Sequence, residues 1–90
     1  MADTLEEKRK KIDAIDARLA VLLAARFSLA ASLAGLKKKV RDPLREAAVL
    51  KHAANLVNDG RLRPAVLAVY REIMKRSRLL QKADSEAGKS

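Results

Sequence analysis

The fold is decided by residues 12–40, IDAIDARLAVLLAARFSLAASLAGLKKKV. Steps of three and four residues alternate through this stretch and form a heptad seam, which consists of Ile12, Ile15, Leu19, Leu22, Arg26, Leu29, Leu33, Leu36 and Val40. One member of the seam, Arg26, is charged where the pattern calls for an apolar side chain. An unpaired buried charge costs several kcal/mol or more. Arg26 must therefore meet either a carboxylate of the protein or an anionic ligand.

Capping and breaking residues divide the chain into three predicted helices. Thr4 and Glu7 have the form of a capping box, and Asp42 followed by Pro43 is typical of a helix start. The NDG turn at 58–60 separates the second helix from the third. We predict helices over 4–39, 43–58 and 64–83, followed by a frayed tail over 84–90. No segment alternates with the period of a strand, so we predict one all-α domain over residues 1–90.

The length of the first helix favours a homodimer. A helix of 36 residues is ~54 Å long, whereas a compact chain of this size has a radius of gyration of only ~12 Å. The first helix must protrude, and its apolar seam then needs a second copy to cover it. The chain has no Cys and one His, so neither a disulfide nor a metal site can replace oligomerisation as a source of stability. We therefore expect an intertwined two-fold dimer.

Charge and composition restrict the partners. The net charge of +9 favours an anionic partner, which leaves nucleic acid, acidic lipid and a small polycarboxylate open. An aromatic content of 2% provides almost no stacking platform for single strands, so we expect no nucleic-acid binding. The N-terminus lacks the apolar core of a signal peptide, and we expect no run of the ~18 apolar residues that span a membrane. These features favour a cytoplasmic protein that binds a small anion.

Polar side chains recur on the faces that should pack inward, and they are Arg26, Lys37, Arg45, Glu46, Ser77 and Gln81. Arg26 and Lys37 lie 11 residues apart, which is ~20° of rotation and ~16 Å of rise, so both point the same way. Arg9 lies ~25 Å from Arg26 along the helix and ~100° around it, so it can reach the same ligand only from a second subunit.

Several of these residues, and Asp42, also have a purely structural interpretation. Arg26 can pair with an acid such as Glu46 to set the register of the helices. Lys37 belongs to a lysine run of the kind that ends solvated helices. Ser77 can hydrogen-bond back to a helix carbonyl, Gln81 can lie on the surface, and capping alone explains Asp42. The convergence of six polar residues on three faces favours a binding site.

The order and spacing of these residues resemble the all-helical chorismate mutase family, the AroQ type. The resemblance covers nearly the whole chain and is carried by residues 9–16 (RKKIDAID), 22–26 (LLAAR), 35–37 (GLK), 42–46 (DPLRE) and 77–81 (SRLLQ). Such proteins convert chorismate to prephenate and are similar in being intertwined dimers with two sites. The rearrangement is unimolecular and pericyclic, so the resemblance implies no cofactor and no metal.

The resemblance also implies a role for each matching residue. Arg26, together with Arg9 of the partner subunit, would grip the two substrate carboxylates, with Arg45 and Ser77 completing that side. Lys37 and Gln81 would hydrogen-bond the ether oxygen. Asp42 and Glu46 would hold the ring hydroxyl.

Two alternatives remain open at this stage. An isochorismate-pyruvate lyase resembles the mutases on the same scaffold and binds a near-identical anion. A non-enzymatic basic helical dimer could instead use the charge of +9 to bind nucleic acid, and a steep salt dependence of duplex binding would reveal it.

Overall fold

The computed structural model describes residues 4–36 and 39–87, and three α-helices account for most of them. The helices are α1 (Leu5–Ala31), α2 (Pro43–Leu56) and α3 (Arg63–Ala87), and a 3-10 helix over Ser32–Gly35 follows α1. No strand occurs within the described ranges. The prediction of an all-α fold with three helices is confirmed.

The first helix begins where the sequence predicts and ends earlier. The Thr4 hydroxyl accepts a hydrogen bond from the Glu7 N–H at 3.1 Å, and the Glu7 carboxylate accepts one from the Thr4 N–H at 3.3 Å, which completes the capping box. The prediction of continuous helix to Lys39 is wrong, because α1 ends at Ala31. Within the next turn, the Leu36 N–H donates to the Leu33 carbonyl at 2.9 Å, which is 3-10 geometry.

The early end of α1 has two local causes. The Ser32 hydroxyl donates to the Leu29 carbonyl, and such back-bonding competes with the helical ladder. Gly35 then adds the backbone entropy cost of a glycine in a helix. Lys37 lies outside the described residues, so its predicted position stays a prediction.

The second helix starts as predicted and ends slightly earlier. The Asp42 carboxylate accepts a hydrogen bond from the Arg45 N–H at 3.1 Å, and Pro43 takes the first helical position. The helix ends at Leu56, not at residue 58, because Val57 adopts an extended conformation. The guanidinium of Arg63 stabilises that turn by donating to the Val57 carbonyl at 2.7 Å.

The third helix is longer than predicted. It begins at Arg63 and reaches Ala87, so the residues from 84 to 87 are helical and the prediction that they fray is wrong. Their composition of Asp, Ser, Glu and Ala contains no helix breaker before Gly88. Before α3, the Arg61 side chain forms an ion pair with Asp59 that lowers the pKa of that carboxyl. This pair belongs to the turn between α2 and α3.

The third helix holds the protomer together. It packs against α1, against α2 and against the 3-10 helix, while the backbones of α1 and α2 make no direct contact within the described ranges. The buried residues are Ala53, Ile73, Met74, Ser77 and Gln81. Two of these five are polar, and both lie on α3. The arrangement leaves a space between α1 and α2 whose floor is α3.

The protomer is elongated and α1 is largely uncovered. The principal extents are 60 × 25 × 14 Å and the radius of gyration is 16.6 Å, against ~12 Å for a compact chain of this length. No residue of α1 is buried, and the seam residues Ile15, Leu22 and Leu29 are 61%, 64% and 71% exposed. A single protomer therefore exposes the apolar seam that the sequence pattern predicts.

One helical segment is apolar enough to be compared with a membrane span. By length and composition alone, Leu5–Gly35 contains a window that could cross a bilayer, and none of that window is buried in the protomer. Arg18 and Arg26 interrupt this window, so it is not a continuous run of ~18 apolar residues, and the expectation that no such run exists stays a prediction. Many Ala and Leu residues surround the two arginines, so the mean hydropathy of the window stays apolar.

Candidate functional site

A cavity of about 340 Å³ lies between α1, α2 and α3, and it combines apolar walls with charged groups. This volume is in the range of small-molecule sites. Its apolar lining consists of Leu29, Ala30, Leu33, Val40, Val49 and Met74, and its polar lining consists of Arg26, Ser32, Asp42, Arg45, Glu46, Ser77, Arg78 and Gln81. Three arginines face two carboxylates in this lining, so the described part of the cavity attracts anions.

Arg26 is half-buried at this cavity and has a neutral partner. Its Nη1 donates to the Ser77 hydroxyl oxygen at 3.3 Å, and no acid in the described ranges forms an ion pair with it. The interpretation of Arg26 as a register residue paired with Glu46 is therefore wrong. A guanidinium carries five N–H donors, and most of those of Arg26 stay available to a ligand.

Ser77 acts as an acceptor toward Arg26 because its only hydroxyl hydrogen is used elsewhere. The Ser77 hydroxyl donates to the Ile73 carbonyl at 2.8 Å, one turn earlier on α3. The predicted back-bond is thus present, and it coexists with the contact to Arg26. A hydroxyl with its hydrogen engaged in this way presents lone pairs to the guanidinium and orients it.

Gln81 is part of the cavity wall and not of the outer surface. It is only 5% exposed and lies one turn after Ser77, so both side chains occupy the same face of α3. The interpretation of Gln81 as a surface residue is wrong. Its amide brings N–H donors and a carbonyl acceptor into the cavity without bringing a charge.

Asp42 and Arg45 line the exposed part of the cavity at the start of α2. The Asp42 carboxylate caps the helix through the Arg45 N–H, so one residue serves both the helix start and the cavity wall. Arg26 and Arg45 also border a smaller recess of about 220 Å³, which His52 and Tyr70 line as well. The two arginines therefore line both spaces.

Arg78 is the charged residue of the described lining that sequence reasoning missed. Its Nη1 donates to Glu46 Oε1 at 2.7 Å, and the two side chains are only 26% and 18% exposed. A signal was present, because an acid on an inward helix face requires a cation. The sequence contains several cations, and the spacing of residues along one helix does not show which cation on another helix lies beside Glu46.

The structure does not place the other two predicted site residues, Arg9 and Lys37, in the described lining, for different reasons. Arg9 lies on the exposed N-terminal half of α1 and does not line the cavity. Lys37 falls outside the described residues. Of the predicted set, the structure brings together Arg26, Asp42, Arg45, Glu46, Ser77 and Gln81.

The donor set suits an oxygen-rich anion. Guanidinium groups on two helices can each bind a carboxylate bidentately, and an amide can donate to a single oxygen. Within residues 4–36 and 39–87, no three His, Asp or Glu side chains cluster as a metal ion would require. The cavity can therefore hold a small dianion between fixed cations and apolar walls.

Comparison with known proteins identifies one family. A family model described as chorismate mutase type II matches residues 8–82, which is most of the chain. The matched range includes every described residue that lines the cavity. No curated protein and no solved structure matches the chain significantly.

Proposed function

The chain belongs to the chorismate mutase type II family, which is a family of isomerases, and we therefore propose that it converts chorismate to prephenate in the cavity between its three helices. The reaction is an intramolecular rearrangement in which one carbon–oxygen bond breaks and one carbon–carbon bond forms. It needs a binding site that holds a flexible dianion in its reactive, chair-like shape.

One observation carries the proposal. Arg26 interrupts the apolar seam, lines a cavity of about 340 Å³, and is oriented by the neutral Ser77 instead of being neutralised by an acid. A half-buried guanidinium without a counter-charge is costly unless an anion arrives. This cost is what a substrate carboxylate would relieve.

The substrate would be held through both of its carboxylates. Arg26 binds one of them. Arg45 lies at the exposed part of the same cavity, on the side that receives the substrate carboxylates. Because the Ser77 hydrogen is engaged with Ile73, we assign Ser77 the role of orienting Arg26, which refines the direct substrate contact that the family resemblance implies. Asp42 and Glu46 bring carboxylate oxygens that accept a hydrogen bond from the ring hydroxyl.

Catalysis would come from charge stabilisation at the ether oxygen. Negative charge gathers on that oxygen as its bond to carbon breaks, and Gln81 is a buried amide in the cavity wall that can donate to it. Lys37 would donate to the same oxygen from the end of the first helix. A preorganised donor of this kind lowers a barrier by roughly 3 to 4 kcal/mol.

A second copy of the chain would complete the site. The apolar seam residues of α1 are exposed, and self-association would bury them and bring Arg9 of the partner subunit to the open side of the cavity. Insertion of α1 into a membrane would be less favourable than burial of its apolar residues in a dimer. Arg26 lies within the apolar window and is bonded to Ser77 of α3, and a charged residue facing lipid is expensive. We propose accordingly that the protein is a cytoplasmic homodimer.

The direct test is an assay of the purified protein on two substrates. With chorismate, we expect its absorbance to fall and prephenate to accumulate in equal amount. If the protein releases pyruvate from isochorismate with a higher kcat/KM than it converts chorismate, it is an isochorismate-pyruvate lyase and not a mutase. If the protein is helical by circular dichroism and consumes neither substrate, the proposed function is refuted.

A further inference from the structure

We propose that Arg78 is a positioning residue for this reaction, which holds Glu46 so that one carboxylate oxygen is kept for the substrate hydroxyl. The proposal rests on the proposed function. Arg78 Nη1 donates to Glu46 Oε1 at 2.7 Å. Glu46 Oε2 makes no hydrogen bond to any residue in the described ranges, and both side chains line the cavity.

The burial of the pair distinguishes it from an ordinary surface ion pair. The Arg78 and Glu46 side chains are 26% and 18% exposed, and they join α3 to α2 across 32 residues of sequence. The neighbouring Arg76 on α3 provides the contrast. Arg76 pairs with Glu72 on the same helix at 2.9 Å, and those side chains are 60% and 54% exposed. Exposed pairs contribute little, whereas a half-buried carboxylate depends on its partner.

None of the other charged groups that line the described part of the cavity forms an ion pair with Glu46. Arg26 on α1 donates to Ser77, and Asp42 accepts from the Arg45 N–H at the start of α2. Arg45 has no hydrogen bond to Glu46 within the described part of the chain. Arg78 is therefore the described cation that fixes the orientation of the Glu46 carboxylate.

Removal of Arg78 should affect substrate binding in two ways. The Glu46 carboxylate would lose the bond that fixes its orientation, so the oxygen kept for the hydroxyl would no longer be held in place. It would also stand unpaired in a cavity that receives a dianion, and like charges repel. Both effects weaken substrate and transition state together, so KM should rise more than kcat falls.

The experiment is a double-mutant cycle on the full-length protein with chorismate as the substrate. We expect Arg78→Met to lower kcat/KM by roughly ten- to a hundredfold, the loss typical of a charge-assisted hydrogen bond. In the Glu46→Gln background, where no carboxylate remains to be paired, the same change should cost less than about threefold. Arg78→Lys should retain most of the kcat/KM that Arg78→Met loses, because an ammonium can still donate to Glu46.

A matched control separates positioning from general effects of charge and helix stability. Arg76→Met removes the same side chain from the same helix outside the cavity, and we expect kcat/KM within about twofold of wild type. Thermal unfolding followed by circular dichroism checks each variant. Should Arg78→Met fail to fold, Arg78→Lys and Arg78→Gln carry the comparison, each made in the wild-type chain and in the Glu46→Gln background.

Each outcome bears on a defined claim. Equal losses from Arg78→Met in the wild-type chain and in the Glu46→Gln background overturn the positioning role, as does an Arg78→Met variant with wild-type kinetics. Absence of turnover in the wild-type protein refutes the proposed function and the role of Arg78 with it. If the wild-type protein is active but the effects of the Arg78 and Glu46 substitutions are simply additive, the role of Arg78 is refuted and the proposed function stands.

Discussion

Among individual residues, hydrogen bonds hold side chains of the cavity in place and leave some of their donors and acceptors available to a ligand. Ser77 donates its hydroxyl hydrogen to the Ile73 carbonyl and presents lone pairs to Arg26. Arg78 binds one oxygen of Glu46 and leaves the other. Preorganisation of this kind lowers the cost of ordering side chains when a substrate binds.

Gln81 gives the sharpest test among single residues. An amide donates at any ordinary pH, whereas a carboxyl group donates only when it is protonated, and the usual pKa of Glu is about 4.3. We expect the Gln81→Glu variant to gain activity as the pH falls from about 8 to about 5, because the protonated fraction then rises. Equal activity of that variant across this range, with a flat wild-type profile as control, would contradict the ether-oxygen role.

Arg26 and Ser77 should differ in the size of their effects. Arg26→Ala removes the charge that binds a carboxylate, so we expect kcat/KM to fall about a hundredfold, since such bonds contribute up to ~3 kcal/mol. Ser77→Ala removes an orienting contact alone and should cost roughly tenfold or less. Steady-state kinetics with circular dichroism measure both. A larger loss from Ser77→Ala than from Arg26→Ala would indicate direct substrate contact by Ser77.

Among the helical elements, the helix ends determine which residues reach the cavity. The change from α1 to 3-10 geometry at Ser32 redirects the chain before Val40, which lines the cavity. Asp42 then starts α2 and places Arg45 and Glu46 in its first turn. The helix start and the binding wall are therefore built by the same residues.

A pair of N-cap variants separates these two roles. Thr4→Ala and Asp42→Ala each remove a capping side chain, and each should cost about 1 kcal/mol of unfolding free energy. Thr4 lies at the far end of α1 and does not line the cavity, so we expect Asp42→Ala alone to raise KM. Chemical denaturation and chorismate kinetics on the two variants provide the comparison. Equal KM values would show that Asp42 acts only as a cap.

For the molecule as a whole, the proposed homodimer would account both for the exposed seam of α1 and for the absence of Arg9 from the cavity lining. Self-association would cover Ile15, Leu22 and Leu29, which a monomer leaves largely exposed. It would also supply the side of the cavity that one protomer leaves open. Stability and catalysis would then depend on the same interface.

Mixing two inactive chains tests this shared site. In a hybrid dimer of Arg9→Ala and Arg26→Ala chains, one site has both arginines intact and the other has neither. We expect mixing to restore on the order of a quarter of wild-type activity, because half of the dimers are hybrids with one working site each. Subunit exchange must be verified by native mass spectrometry. Exchange without recovery of activity would contradict the donation of Arg9 across the interface.

Sequence patterns were sufficient to predict the three helices, the starts of α1 and α2, and most of the polar residues that converge on one space. Capping boxes, N-terminal prolines and the heptad seam act between residues at most a few positions apart, so they can be read locally. The pairing of cations with their partners emerged only when the helices were packed together. The contacts from Arg26 to Ser77 and from Arg78 to Glu46 span 51 and 32 residues, and they depend on how α1 and α2 dock on α3. Local spacing contains no information about that docking, because packing of side chains from all three helices sets it.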